Sequence, residues 1–249
     1  MESSAPAAKA SGLSTVISTV AAPSEAFETL RVAPTWGWAC LIAIVLMLIG
    51  TYLQGPAARH AGQASMRHAV ATSSLFANFT REKKDEMIAQ AGRPSIGSFI
   101  SPVITVFVIV FFNTLFTLIA NAVGRGQADF KRLWAGSMNI AVPTIGLGAV
   151  VIGIITTLRG PDSFDNLAQI IRATPSLAYL APNAPFALGV FLAGISIFSL
   201  WGLFLNATML RVMAKTSVGV AYTFAVIITL LGALMGAAFL SGFHNMGFA

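Results

Sequence analysis

Charge is what this sequence has least of, above all where its apolar runs lie. Asp, Glu, Lys and Arg make up only 10% of its 249 residues, against roughly a quarter in a soluble domain, and the mean hydropathy is +0.78. One cysteine, Cys40, excludes an internal disulfide and a Cys-rich metal site, and reads as a small buried hydrophobe. Of three histidines, His60 and His68 fall about 12 Å apart along a helix, too far to share one metal ion. There is no Gly-rich phosphate loop and no nucleophile elbow. No catalytic residue, cofactor or metal is therefore expected, and the chain reads as a non-enzyme.

What is present is apolar length. A bilayer core about 30 Å thick needs roughly 20 apolar residues per helix. Uncharged stretches of that order occupy residues 36–53, 99–123, 134–158, 186–210 and 218–240. The expected fold is an all-helical polytopic membrane protein, a bundle of five transmembrane helices covering residues 23–240. Residues 1–22 are expected to be a disordered lead-in and 241–249 a short tail.

The connections carry the remaining signals. "PSEAFETLRVAP", residues 23–34, predicts an amphipathic surface helix at 24–33 with Phe27 and Leu30 on one face. Trp36 and Trp38 follow where an interfacial aromatic belt belongs. The largest connection, 54–98, predicts a break at Gly55-Pro56 and then two extramembrane helices, the second with Thr80 as N-cap and Gly92 as its stop. In 163–178, Phe164, Leu167, Ile170, Ile171 and Leu177 recur at helical spacing, predicting a second surface-lying helix.

The net charge of +6 would suggest nucleic acid in a soluble protein. Here the basic residues are scattered over every connection without interleaved aromatics, so no nucleic acid is expected and the lipid bilayer is their partner. Lys9, Arg31, Arg125, Lys131, Arg132, Arg211 and Lys215 fall on the N-terminal side. Three short basic segments there, and a C-terminal tail without Lys or Arg, place the N-terminus in the cytoplasm.

Within the apolar runs there is no Asp, Glu, Lys, Arg or His, which argues against a proton-coupled carrier or a charged selectivity ring. The polar residues that remain are small. Asn113, Thr117 and Asn121 recur every four residues in the second run, and Ser199, Gly202 and Asn206 form a similar row in the fourth. The third carries Asn139, Pro143, Gly146, Gly148 and Gly153, and the fifth carries Gly232 and Gly236. Small residues let helix backbones approach, and interhelical hydrogen bonds add about 0.5–2 kcal/mol each. The set reads as helix-packing glue, or alternatively as polar stripes lining a hydrated path.

"PSEAFETLRVAPTW", "DFKRLWAGSMNIAVP" and "LAGISIFSLWGLFLNATMLRVMAKTSVGVAY" occur in an order that resembles the bacterial branch of the Yip family, membrane proteins of five spans. The likeness covers most of residues 23–240. Ser196 stands two positions before Phe198, where bacterial members often carry an acidic residue. The Asp-Leu-Tyr-Gly-Pro signature of the eukaryotic members is missing, so binding of Rab-type GTPases is not implied.

The resemblance implies an integral protein of a bacterial cytoplasmic (inner) membrane that associates with other integral membrane proteins. Some relatives are linked to ABC-type exporters with a periplasmic adaptor. The expected function is a membrane scaffold or accessory subunit, for instance of an exporter permease or adaptor, or a homo-oligomer. The alternatives are a small-solute or lipid channel or transporter, and a membrane-trafficking or membrane-shaping factor.

Overall fold

The computed structural model describes residues 12–91 and 93–245. Among them no strand occurs, and four helices are long and apolar enough to cross a membrane: Gly37–Thr72, Ile96–Val123, Phe130–Arg159 and Val218–Gly242. In chain order the helices are α1 (Gly12–Ala21), α2 (Pro23–Val32), α3 (Gly37–Thr72), α4 (Arg81–Gln90), α5 (Ile96–Val123) and α6 (Phe130–Ala141). A π-turn over Val142–Gly146 joins α6 to α7 (Leu147–Arg159), after which come α8 (Leu167–Arg172), α9 (Phe186–Gly194), α10 (Ile197–Val212) and α11 (Val218–Asn245).

Side-chain size is distributed as hydrocarbon solvent demands. The buried face of α3 consists of Ala39, Cys40, Ala43, Gly50, Ala57, Ala61 and Ala69, while Leu41, Val45, Ile49 and Tyr52 point outward. In α5 the inner row includes Val106, Val110, Thr114, Thr117 and Ala120, and Phe107, Phe111, Phe112 and Leu115 are exposed. Lipid tails are as apolar as these large side chains, so nothing drives them inward, and close backbone approach decides the packing.

That approach is tightest between α3 and α7. A Cβ added to Gly50 would overlap the Ala149 carbonyl, and one at Gly153 would lie 2.7 Å from Leu53 Cβ. Gly146 likewise admits Leu46, with 3.1 Å to its Cβ. Gln54 Nε2 then donates to Gly50 O at 3.1 Å and to Ala149 O at 3.2 Å, stitching the two backbones.

Several expectations are corrected. The 12–21 segment is a helix and not a disordered lead-in: Thr15, Val16 and Thr19 are buried, and Val16 joins Ala39, Ala43, Val106 and Val110 in one core cluster. Residues 1–11 and 246–249, and Gly92 as a helix stop, lie outside the described residues. Helix α3 does not end at Gly55-Pro56. It continues to Thr72 as 36 residues, about 54 Å, because Ala57 and Ala61 pack against Phe164, Ile170 and Ala173 and so offset the donor that Pro56 lacks. Thr80 does cap α4, its hydroxyl accepting from Lys83 N.

The 163–178 stretch is not one helix. It divides into a 3-10 turn at Pro161–Ser163, the short α8 and a second 3-10 turn at Leu177–Leu180, and Phe164 and Ile170 face α3. The 186–210 run is likewise interrupted, giving α9 and α10 with the break at Ile195 and Ser196.

Phe27 and Leu30 do not anchor α2 in lipid. Both are fully buried with Leu133, Leu205, Met209, Leu210 and Met213, so the apolar stripe of α2 seals one end of the bundle. Glu28 completes the seal: Arg31 Nε bonds it at 2.7 Å and Lys215 Nζ at 3.1 Å. Hydrogen bonds from Arg31 and then Lys215 hold its carboxyl below the usual range, so the clamp stands at neutral pH and is lost as pH falls through that lowered value. Trp36 and Trp38 are exposed, and Trp36 meets Trp134 edge-on at 6.4 Å.

Gly50→Leu is expected to cost about 1–3 kcal/mol by overpacking the α3–α7 contact. Gly55→Ala has open space around it and should be neutral or gain up to about 1 kcal/mol. Equilibrium unfolding in mixed detergent micelles measures both.

Candidate functional cleft

Two interruptions of regular helix face one cavity. At the first, Pro143 has no N–H to donate and the ladder is irregular around it: Val142 N bonds Asn139 O, three residues back, and beyond the proline the chain widens, Leu147 N reaching back five residues to Val142 O. Thr144 Oγ1 donates to Ile140 O at 2.7 Å, and Asn139 Nδ2 donates to Ala135 O at 2.8 Å and Thr35 O at 3.2 Å. Asn139 thus bonds a neighbouring segment, and Pro143 makes a π-turn, a feature frequent at functional sites.

At the second, Ser196 and Ser199 form a reciprocal capping box: Ser196 N donates to Ser199 Oγ at 2.8 Å and Ser199 N to Ser196 Oγ at 3.3 Å. An extended segment then crosses the break, with Leu177 N bonded to Ile195 O at 3.1 Å and Ile197 N to Pro175 O at 3.2 Å. This is the bridge Ser176 to Ser196, and it gives partners to backbone groups that the break would otherwise leave unpaired.

Helices α5 and α11 are close at one end, where Gly124 meets Thr216 and Val220. Further along, a cleft of about 270 Å³ lies between Ile109 and Asn113 of α5 and Ile228 and Gly232 of α11. Its floor is neutral and hydrogen-bonded. Asn113 Nδ2 donates to Ser137 Oγ at 2.9 Å and to Asn206 Oδ1 at 3.0 Å, and Asn206 Nδ2 donates to Gly202 O at 2.9 Å. Thr144, Ser196, Ser199 and Thr229 complete the polar lining, and no lining residue is ionisable.

The expected polar stripe is therefore divided. Asn113, Ser199 and Asn206 line the cleft. Thr117 is fully buried and donates to Thr114 O of its own helix at 2.9 Å. Asn121 is a loop clamp: its Nδ2 donates to Ala128 O at 3.0 Å, and its Oδ1 accepts from Ala128 N at 3.2 Å.

The packing set divides too. Gly146 and Gly153 are filled by α3, whereas Gly232 and Gly236 have no atom within 4 Å of where a Cβ would stand. Ser137 and Thr144 were not singled out from the sequence. Their signal was spacing, since Ser137 and Thr144 lie seven residues apart and share one helix face. No family model, curated protein or solved structure matches this chain.

In a double-mutant cycle, Asn113→Ala and Asn206→Ala should each destabilise the bundle, with a coupling of about 0.6 kcal/mol, typical of membrane interhelical hydrogen bonds. Strictly additive losses in detergent-micelle unfolding would contradict the paired floor.

Proposed function

We propose that this protein is a non-enzymatic assembly subunit of a membrane complex, and that its α5–α11 cleft receives a transmembrane helix of another integral membrane protein. The observation that carries this function is the contrast among glycines. Gly50, Gly146 and Gly153 are consumed by internal contacts, while Gly232 and Gly236 present bare backbone to the outside of the bundle. Close-approach surfaces of this kind are how helices associate without a hydrophobic drive. The neutral amide and hydroxyl floor suits a partner helix bearing Ser, Thr, Asn or Gln, and disfavours a charged cargo.

Helices α9 and α10 are proposed to make a fifth, broken crossing. They run antiparallel to α11, with Gly194 against Ala233 and Leu210 and Met213 near Ala221. Their 9 and 16 residues give about 37 Å of helix, long enough for the hydrocarbon core. With the N-terminus in the cytoplasm, the bundle end sealed by α2 would face the cytoplasm and the α3 extension would project on the other side of a bacterial inner membrane. The Yip-family resemblance accords with such a subunit, and an exporter permease or adaptor is the partner it favours. A solute path is less well supported, because Thr117 and Asn121 are spent on internal hydrogen bonds.

Purified from its own membranes in mild detergent, the protein should bring down a second integral membrane protein. Gly232→Leu combined with Gly236→Leu should release that partner while leaving unfolding within about 1 kcal/mol of the parent, as expected of surface positions. Retention of the partner by the double variant would refute the assignment of the face, and a protein that always elutes alone as a monomer would refute the function.

A further inference from the structure

We infer a second site at the opposite end of the bundle from α2: Arg172 forms a phosphate-binding pocket for a membrane phospholipid headgroup. Arg172 closes α8, and its guanidinium lies across Gly189 of α9 so closely that any Cβ there would strike it. Its Nη2 donates to Phe186 O at 3.2 Å, and its charge lies 6.0 Å from the centre of the Phe186 ring. Those contacts hold the group in place but do not neutralise it. The ion pairs among the described residues involve Arg31, His60, Lys83, Arg132 and Lys215, and Arg172 is in none of them. Its Nε is shielded from water and has no acceptor. A guanidinium fixed by packing and short of a carboxylate is set to take an oxyanion where it lines a pocket.

The surroundings specify where the anion comes from. A pocket of about 180 Å³ adjoins Arg172, lined also by Ala178, Tyr179, Ala181, Pro182 and Gly189. Around it Leu180 is 82% exposed, Tyr179 59% and Leu188 48%, an apolar rim that a soluble anion would not need. Depth agrees with this. Val190 packs with Ala237, which lies about 29 Å along α11 from its start at Val218, so the pocket sits at the boundary of a hydrocarbon core about 30 Å thick. A phosphodiester at that level meets the guanidinium while its acyl chains lie along the exposed leucines. The site is independent of the α5–α11 cleft and of the assembly function proposed for it.

Native mass spectrometry of the delipidated protein in detergent tests the site with three probes: dioleoyl phosphatidylglycerol, dioleoylglycerol and inorganic phosphate. Phosphatidylglycerol should bind the parent, and neither dioleoylglycerol nor inorganic phosphate should displace it. Arg172→Gln should weaken that binding about tenfold or more, the loss of a charge-assisted contact, and Arg172→Lys should weaken it less. Ala181→Glu leaves the guanidinium seat intact but adds a competing carboxylate at the pocket. It should have the same effect as Arg172→Gln, and it decides the matter if Arg172→Gln does not fold. Undiminished binding by Ala181→Glu, or by folded Arg172→Gln, would overturn the site. Displacement by dioleoylglycerol would overturn the role of the phosphate, and displacement by inorganic phosphate would overturn the lipid origin.

Discussion

A break in a helix leaves backbone groups without their regular partners, a costly state wherever water is absent, and the architecture follows from how this chain repairs two such breaks from within. The π-turn at Pro143 is supported by Thr144 and by the five-residue reach of Leu147 N. The gap between α9 and α10 is closed by two serines and by an extended segment from 175–177. Each repair uses a neutral group. The result is a bundle that can be irregular at its centre without carrying charge there, and both irregularities open onto the same cleft.

Packing follows the same economy of size. Where α3 meets α7, glycine and alanine bring backbones together and Gln54 bonds across the seam. Where α11 faces outward, an equivalent glycine pair is left bare. The same chemistry that holds the molecule together is thus also presented on its surface, next to a floor of amides and hydroxyls. At the ends of the bundle charge does appear: Glu28 of α2 is tied to Lys215 at one, and Arg172 is in none of the ion pairs among the described residues at the other.

Helical class, four long apolar helices and the Thr80 cap were legible in the sequence, since each depends on local composition or on one capping residue. The Asn113–Asn206 pairing was half legible: the periodicity of each row placed its members on a face, but not which faces would meet. What could not be read was decided by distant contacts. Pro56 signals a break, yet Phe164, about a hundred residues later, packs the continued helix in place. Phe27 and Leu30 have the spacing of a lipid-facing stripe, and only the position of α10 shows that the stripe faces protein. The break inside 186–210 did have a local sign, Ser196 and Ser199 at capping-box spacing, hidden by the uniform hydropathy around it.

The central claim is that the α5–α11 cleft is a seat for a foreign helix. Site-specific photo-crosslinking in native membranes tests it directly, with a photoreactive side chain at Ile228, which lines the cleft, and a control at Leu234, which is exposed elsewhere on α11. The account predicts a discrete adduct with another membrane protein from position 228 and lipid adducts alone from 234. Lipid adducts alone from both positions would contradict it.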